Sequence, residues 1–182
     1  MTQCEQAMRE WLRTVIVKYN FCPFARKEME NNTIHYHISG ATTSEDAVME
    51  TLEQCQVLNQ HPEIETTLVS FEVGFCDFAD FLDLIDLANA LLVAQGFEGT
   101  YQLAHFHPDY VFADSTDDDA ANYTNRAPYP TLHIIREESM EHALESYDDP
   151  ESIPENNMRL ARRKGADFWQ DLLNKCASKV KH

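Results

Sequence analysis

Apolar residues recur at helical spacing near the start of the chain, where Ala7, Met8, Trp11, Leu12, Val15, Ile16 and Tyr19 alternate with charged positions. That period predicts an amphipathic helix over residues 2–19. Asn20-Phe21-Cys22-Pro23-Phe24 interrupts it, and Pro23 suits the first turn of a short second helix. Over residues 33–38 the pattern changes to strict alternation, with Ile34, Tyr36 and Ile38 set against Thr33, His35 and His37. A half-buried strand follows from that alternation. Thr42 and Glu45 have the spacing of a capping box. The helix they open carries Val48, Leu52, Cys55 and Leu58 on one side and stops before His61-Pro62.

Residues 65–71 are β-branched and apolar without clean alternation, the pattern of a central strand. Asp77 is placed to cap a third helix bearing Phe78, Phe81, Leu82, Ile85, Ala88, Leu91 and Leu92, and Gly96 terminates it. Two further strands are predicted at residues 100–106 and 131–136. The connection between them, about 25 residues of loop or short helix, is far longer than usual, which marks it as functional or lid-like. Helices over residues 139–146 and 154–176 complete the chain. Strands alternating with helices indicate parallel crossovers, while the last two strands lack a helix between them. The expected fold is therefore one compact α/β domain over residues 1–182, with a small mixed sheet of about four strands flanked by helices.

Composition narrows the function classes. At 43% hydrophobic and 10% aromatic, the 182 residues can build a true core without disulfide or metal staples. Thirty-one acidic residues against 14 Lys and Arg leave a formal net charge of −17. That excess repels polyanions, so neither nucleic acid nor an anionic membrane is an expected partner. The N-terminus lacks the basic start and apolar block of a secretory signal, and no apolar run reaches the roughly 20 residues needed to span a bilayer. Five scattered cysteines without a CxxC pair argue against a disulfide framework or a structural zinc, and for a reducing cytoplasm.

Candidate chemistry gathers between His105 and Glu137. His105 and His107 lie two residues apart, so in a strand both rings project from one face. His133 on the neighbouring strand can supply a third nitrogen, giving a ligand set for a divalent ion such as zinc with one position open to water. Metal-assisted hydrolysis of an anionic small molecule is the reaction such a site would support, with Asp109 as an added ligand or base. The string His105-Phe106-His107-Pro108-Asp109 is also similar to the metal motif of metallo-β-lactamase-like hydrolases, with Tyr110 where that motif has another histidine. His35-Tyr36-His37 repeats the same histidine spacing on another strand, so the pattern alone does not specify a metal.

The same segment offers an anion site. Arg126 presents a guanidinium fork among stiff neighbours, and Asn122, Asn125 and Tyr129 can orient the same ligand. Arg136 falls on the strand face opposite His133 and reads as a solvated strand end with local ion pairs. Cys22 is a separate candidate. Just before Pro23 at a helix start, its thiol would feel the positive helix end, which favours thiolate for nucleophilic or redox chemistry. The competing reading packs Cys22 with Phe21 and Phe24.

Several longer strings carry a resemblance. Asn20-Phe21-Cys22-Pro23-Phe24-Ala25, Glu65-Thr66-Thr67-Leu68, Gln102-Leu103-Ala104-His105-Phe106-His107-Pro108-Asp109-Tyr110 and Asn125-Arg126-Ala127-Pro128-Tyr129-Pro130 together resemble the bacterial family of unknown function numbered fourteen-fifteen among the catalogued uncharacterised domains. The resemblance covers most of the chain. It implies a stand-alone bacterial cytoplasmic domain and assigns no activity and no functional residue. The element order is also similar to a thioredoxin-like core, though Cys22 precedes the first strand instead of following it. Three readings follow: an enzyme using His105, His107 and His133 with Arg126 and Asn125, thiol chemistry at Cys22, and a non-catalytic ligand- or partner-binding protein using the same pocket.

Overall fold

The computed structural model describes residues 1–178. Helix α1 spans Gln3–Trp11, capped by the Thr2 hydroxyl, which accepts from the Glu5 amide at 3.1 Å. The helical rod expected over 2–19 does continue, but Leu12–Val17 winds as a wider π-helix, and the Phe21 amide reaches back five residues to the Ile16 carbonyl. The Thr14 hydroxyl donates to the Glu10 carbonyl at 2.7 Å and so competes for a helical acceptor. β-Branched Val15, Ile16 and Val17 add crowding in the same turn. The short second helix, α2, covers Ala25–Asn31 and ends on Asn32 in the left-handed conformation.

Strand β1, Ile34–Ser39, leads into α3, Ser44–Gln60. The cap lies one residue later than the sequence pattern placed it: Thr43 accepts from the Asp46 amide and donates to its carboxylate. Strand β2 is Thr66–Phe71, and α4, Phe78–Ala94, is capped by Asp77 as expected. Strand β3 is Tyr101–Phe106 and strand β4 is Thr131–Arg136. The long connection between them folds around a short 3-10 turn, Ala120–Thr124. Helix α5, Glu137–Glu145, starts directly from β4. The single final helix expected is two, α6 at Ile153–Lys164 and α7 at Ala166–Ser178. Gly165, at φ 85°, breaks them with a backbone that costs other residues dearly.

The four strands form one mixed sheet in the order β1-β2-β4-β3. β1 and β2 are parallel through the α3 crossover, and β4 runs antiparallel to both of its neighbours. Strand alternation divides the side chains between two faces. Val69, Phe71, Leu132, Ile134 and Tyr101 turn toward α3 and α4 and form the first core. Ile34, Tyr36, Ile38 and Phe106 turn toward α1, α6 and α7 and contribute to the second. Trp11 anchors that second layer: its ring is 1% exposed, and its Nε1 donates to the Arg126 carbonyl at 3.0 Å. One contact therefore ties the first helix to the long connection.

At the opposite layer, the loops after β1 and β2 touch. A Cβ at Gly74 would collide with the Ala41 carbonyl, so the close approach requires glycine. Among the described residues no helix is long and apolar enough to cross a membrane.

Candidate functional site

The register of β3 against β4 decides the fate of the three histidines. Ala104 is the residue directly across from His133. Directly paired residues share a face, and successive residues alternate, so His105 and His133 lie on opposite faces. The His105 ring packs among Phe81 and Tyr110, and the His107 ring among Phe78 and Phe81, on the α4 side. His133 stands on the other side near Phe106. The expected three-histidine metal set is therefore not assembled. Among the described residues no group of three His, Cys, Asp or Glu side chains is placed to hold an ion.

His107 is fully buried and spends both ring nitrogens internally. Nε2 lies 2.9 Å from the Phe75 carbonyl, and Nδ1 accepts from the Asp109 amide at 3.0 Å. Those partners define the tautomer, with the proton on Nε2. Burial lowers the pKa of both His105 and His107, so both rings are neutral at neutral pH. Asp109 itself is exposed and offers its amide to His107, not a carboxylate to a metal. In the other His-x-His string, His37 faces α3 and meets Glu50 at 2.9 Å.

The expected anion-binding residues build the long connection instead. Arg126 donates from Nε to the Tyr110 carbonyl at 3.0 Å and from Nη2 to the Asp117 carbonyl at 3.1 Å, with its guanidinium stacked on Tyr123. Buried Asn122 accepts from the Phe112 amide and donates to the Thr116 carbonyl. Asn125 donates to the His105 carbonyl at 3.4 Å, and its own carbonyl accepts from the His107 amide. Tyr129 packs against the second core, and burial raises its hydroxyl pKa. A loop this long carries many backbone polar groups that need partners once packed, and these side chains supply them. Arg136 is likewise no solvated strand end. It donates to the carbonyls of Leu58, His61 and Ile64, closing the end of α3. Asp119 caps the 3-10 turn and accepts two bonds from Arg162, which holds its carboxyl down at about 2.

The concavity lies on the other face. A hollow of about 550 Å³ opens between the His133 face of the sheet and helices α1, α2, α5 and α6. Its lining is mostly apolar, with Trp11, Phe24, Leu68, Phe106, Met140 and Met158 among the contributors. Neither α2 nor α5 carries a fully buried residue, so their apolar sides border the hollow without filling it. This site draws on chain segments from Trp11 to Met158, and no local motif in the sequence announces it.

Besides Glu28, Glu65 and the expected Asn125, the candidate residues His133 and Cys22 line this hollow. His133 Nε2 lies 2.7 Å from the Thr66 hydroxyl, and that hydroxyl donates to the Ile134 carbonyl at 2.6 Å. Since the threonine proton is committed, Nε2 must be the donor and Nδ1 carries the lone pair. Nδ1 makes no hydrogen bond with a described residue. Burial pushes the His133 pKa down to about 4, so the ring is neutral at neutral pH. Cys22 also lines the hollow, but burial raises its thiol above the ordinary value, outweighing the backbone amides of Phe24 and Ala25 that favour thiolate. Its expected activation by the helix start is thus reversed by desolvation.

Fold and hollow together define an α/β domain with a ligand-sized, mainly apolar concavity on one face of a four-stranded sheet. The chain belongs to the family described as protein of unknown function (DUF1415), whose model matches residues 3–171. No curated protein and no solved structure matches it, and the likeness to a thioredoxin-like core rests on element order alone.

Proposed function

We propose that this protein binds a small, largely apolar molecule in the hollow between the sheet and α2, α5 and α6, with neutral His133 as the polar contact. The observation that carries this reading is the uncommitted Nδ1 of His133 beside a mostly apolar hollow of about 550 Å³. Pockets of roughly 300–1,000 Å³ lined by apolar groups and a few aimed polar atoms are the usual form of ligand sites. Thr66 fixes the ring from behind, so the acceptor is oriented before a ligand arrives and little ordering cost remains. Of the three functions read from the sequence, ligand binding is the one these groups support. In the hollow His133 is a neutral acceptor and the Cys22 thiol is protonated, while Arg126 and Asn122 are engaged in the long connection. All five cysteines are free, which suits a reducing compartment, and we place the binding in the bacterial cytoplasm.

Thermal denaturation in the presence of naphthylmethanol, and separately of octanol, tests this. Binding to the folded state raises the melting temperature with dose. Ala104 lines the hollow opposite His133, so Ala104→Phe should fill it and abolish the shift while cooperative melting is kept. If neither these alcohols nor the corresponding amines shift the wild type, or if the shift survives in Ala104→Phe, the reading is wrong.

A further inference from the structure

The geometry points to a positively charged, amine-bearing apolar molecule as the occupant of the hollow. This inference rests on the binding reading above and specifies the chemistry of its ligand.

Two acidic residues that line the hollow are connected. Glu28 and Glu65 both line it, and both adjoin Thr33: the Thr33 hydroxyl donates to Glu28 at 2.6 Å, and the Glu65 amide donates to the Thr33 carbonyl at 2.8 Å. Thr66, next along β2, is the residue that orients His133. Two acidic side chains therefore border the same end of an apolar space, and His133 lines its sheet wall. The Glu65 carboxylate makes no hydrogen bond or ion pair with a described residue. Glu28 pairs with Lys27 Nζ at 3.6 Å, but that lysine side chain is 78% exposed and does not line the hollow. No lysine or arginine is among the described residues that line the hollow.

These features discriminate between head groups. An anion would lose its hydration shell beside two carboxylates with no cation to replace it, the most unfavourable case for a charge leaving water. A neutral alcohol can satisfy only one acceptor. A protonated amine carries three donors and a positive charge, matching the two carboxylates while its hydrocarbon part fills the apolar walls. The net charge of −17 also raises the local concentration of cations around the whole molecule. The anionic ligand expected from Arg126 is accordingly replaced by one of opposite sign.

Matched head-group series on the intact protein test the idea: naphthylmethylamine, naphthylmethanol and naphthoate, with octylamine, octanol and octanoate as the aliphatic counterpart. Affinities by calorimetry should fall in the order amine, alcohol, carboxylate, with the amine about tenfold tighter than the alcohol, a typical gain for one charge-assisted contact. Raising the salt should weaken the amine and leave the alcohol unchanged. Glu65→Gln should remove most of the amine preference without changing alcohol affinity. Its carboxylate supports no internal bond, so that variant keeps the test open even if Glu28→Gln, which alters the bond to Thr33, fails to fold. Equal binding across a series, tightest binding of the carboxylate, or an undiminished amine preference in Glu65→Gln overturns the amine inference and leaves the hollow as a binding site. Failure of every compound to bind overturns both.

Discussion

The His107 ring donates to the carbonyl of Phe75, a residue held in the left-handed conformation at φ 62°, and so locks the end of β3 to the loop after β2. The same ring accepts from the Asp109 amide and packs on Phe78 and Phe81. Substitution by alanine would leave a carbonyl and an amide without their buried partner and open a cavity beside α4. His107→Ala should therefore cost about 2–4 kcal/mol in urea unfolding, with no change in affinity at the hollow on the opposite face. A loss of ligand affinity without loss of stability would mean that the ring serves a site and not the fold.

Acid should destabilise the protein through its neutral histidines. His133 has a folded pKa near 4 against an ordinary 6.5, so between those values the unfolded chain binds a proton that the folded one refuses. Stability is then fully present above pH about 6.5, falls as the pH drops, and levels off below about 4. His133 alone contributes at most about 3 kcal/mol to that fall. His35, His105 and His107 are shifted in the same direction by burial and add to it. Unfolding by urea across this range should show the slope, and His133→Leu should flatten it measurably. An unchanged slope in that variant would place the His133 titration at its ordinary value.

Much of the scaffold was legible because it is local. The β4 bounds, the Asp77 cap and the mixed sheet follow from alternation, turn chemistry and the missing helix between the last two strands. The candidate site was not legible, for two physical reasons. A one-residue change of register moves a side chain to the other face, and nothing in the sequence sets Ala104 rather than His105 across from His133. Secondly, polar residues in a long loop look alike whether they face a ligand or satisfy their own backbone, as Asn122 and Arg126 do. The alternating side that faces the hollow was readable on β1, but the space above it depends on how α2, α5 and α6 stand off the sheet.

Cys22 should react as a shielded thiol. Burial raises its pKa, so alkylation by iodoacetamide should accelerate only at a pH above the ordinary thiol value of 9.0. Exposed Cys76 provides an internal reference and should be labelled first in mass-spectrometric peptide counts. Because Cys22 lines the hollow, saturating naphthylmethylamine should slow its labelling further and leave Cys76 unaffected. A Cys22 rate profile centred below the ordinary value would restore the activated-thiol reading.

Arg126 provides the sharpest separation between holding the loop and holding a ligand. Its fork spans two carbonyls that are seven residues apart in the chain, those of Tyr110 and Asp117, while its plane lies 4.5 Å from the centre of the Tyr123 ring. Lysine keeps the charge but cannot reach both carbonyls from a planar, rigid head. Arg126→Lys should therefore lose nearly as much stability as Arg126→Ala, about 1–3 kcal/mol in each case. Amide hydrogen exchange should quicken across residues 110–117 in both variants, because that stretch loses its tie to the body of the domain. A ligand-binding arginine would behave differently, with lysine rescuing part of the affinity and exchange in the unliganded protein unchanged. The carbonyl contacts leave the guanidinium little capacity for an anion, so affinity for any compound in the hollow should stay within about twofold of wild type.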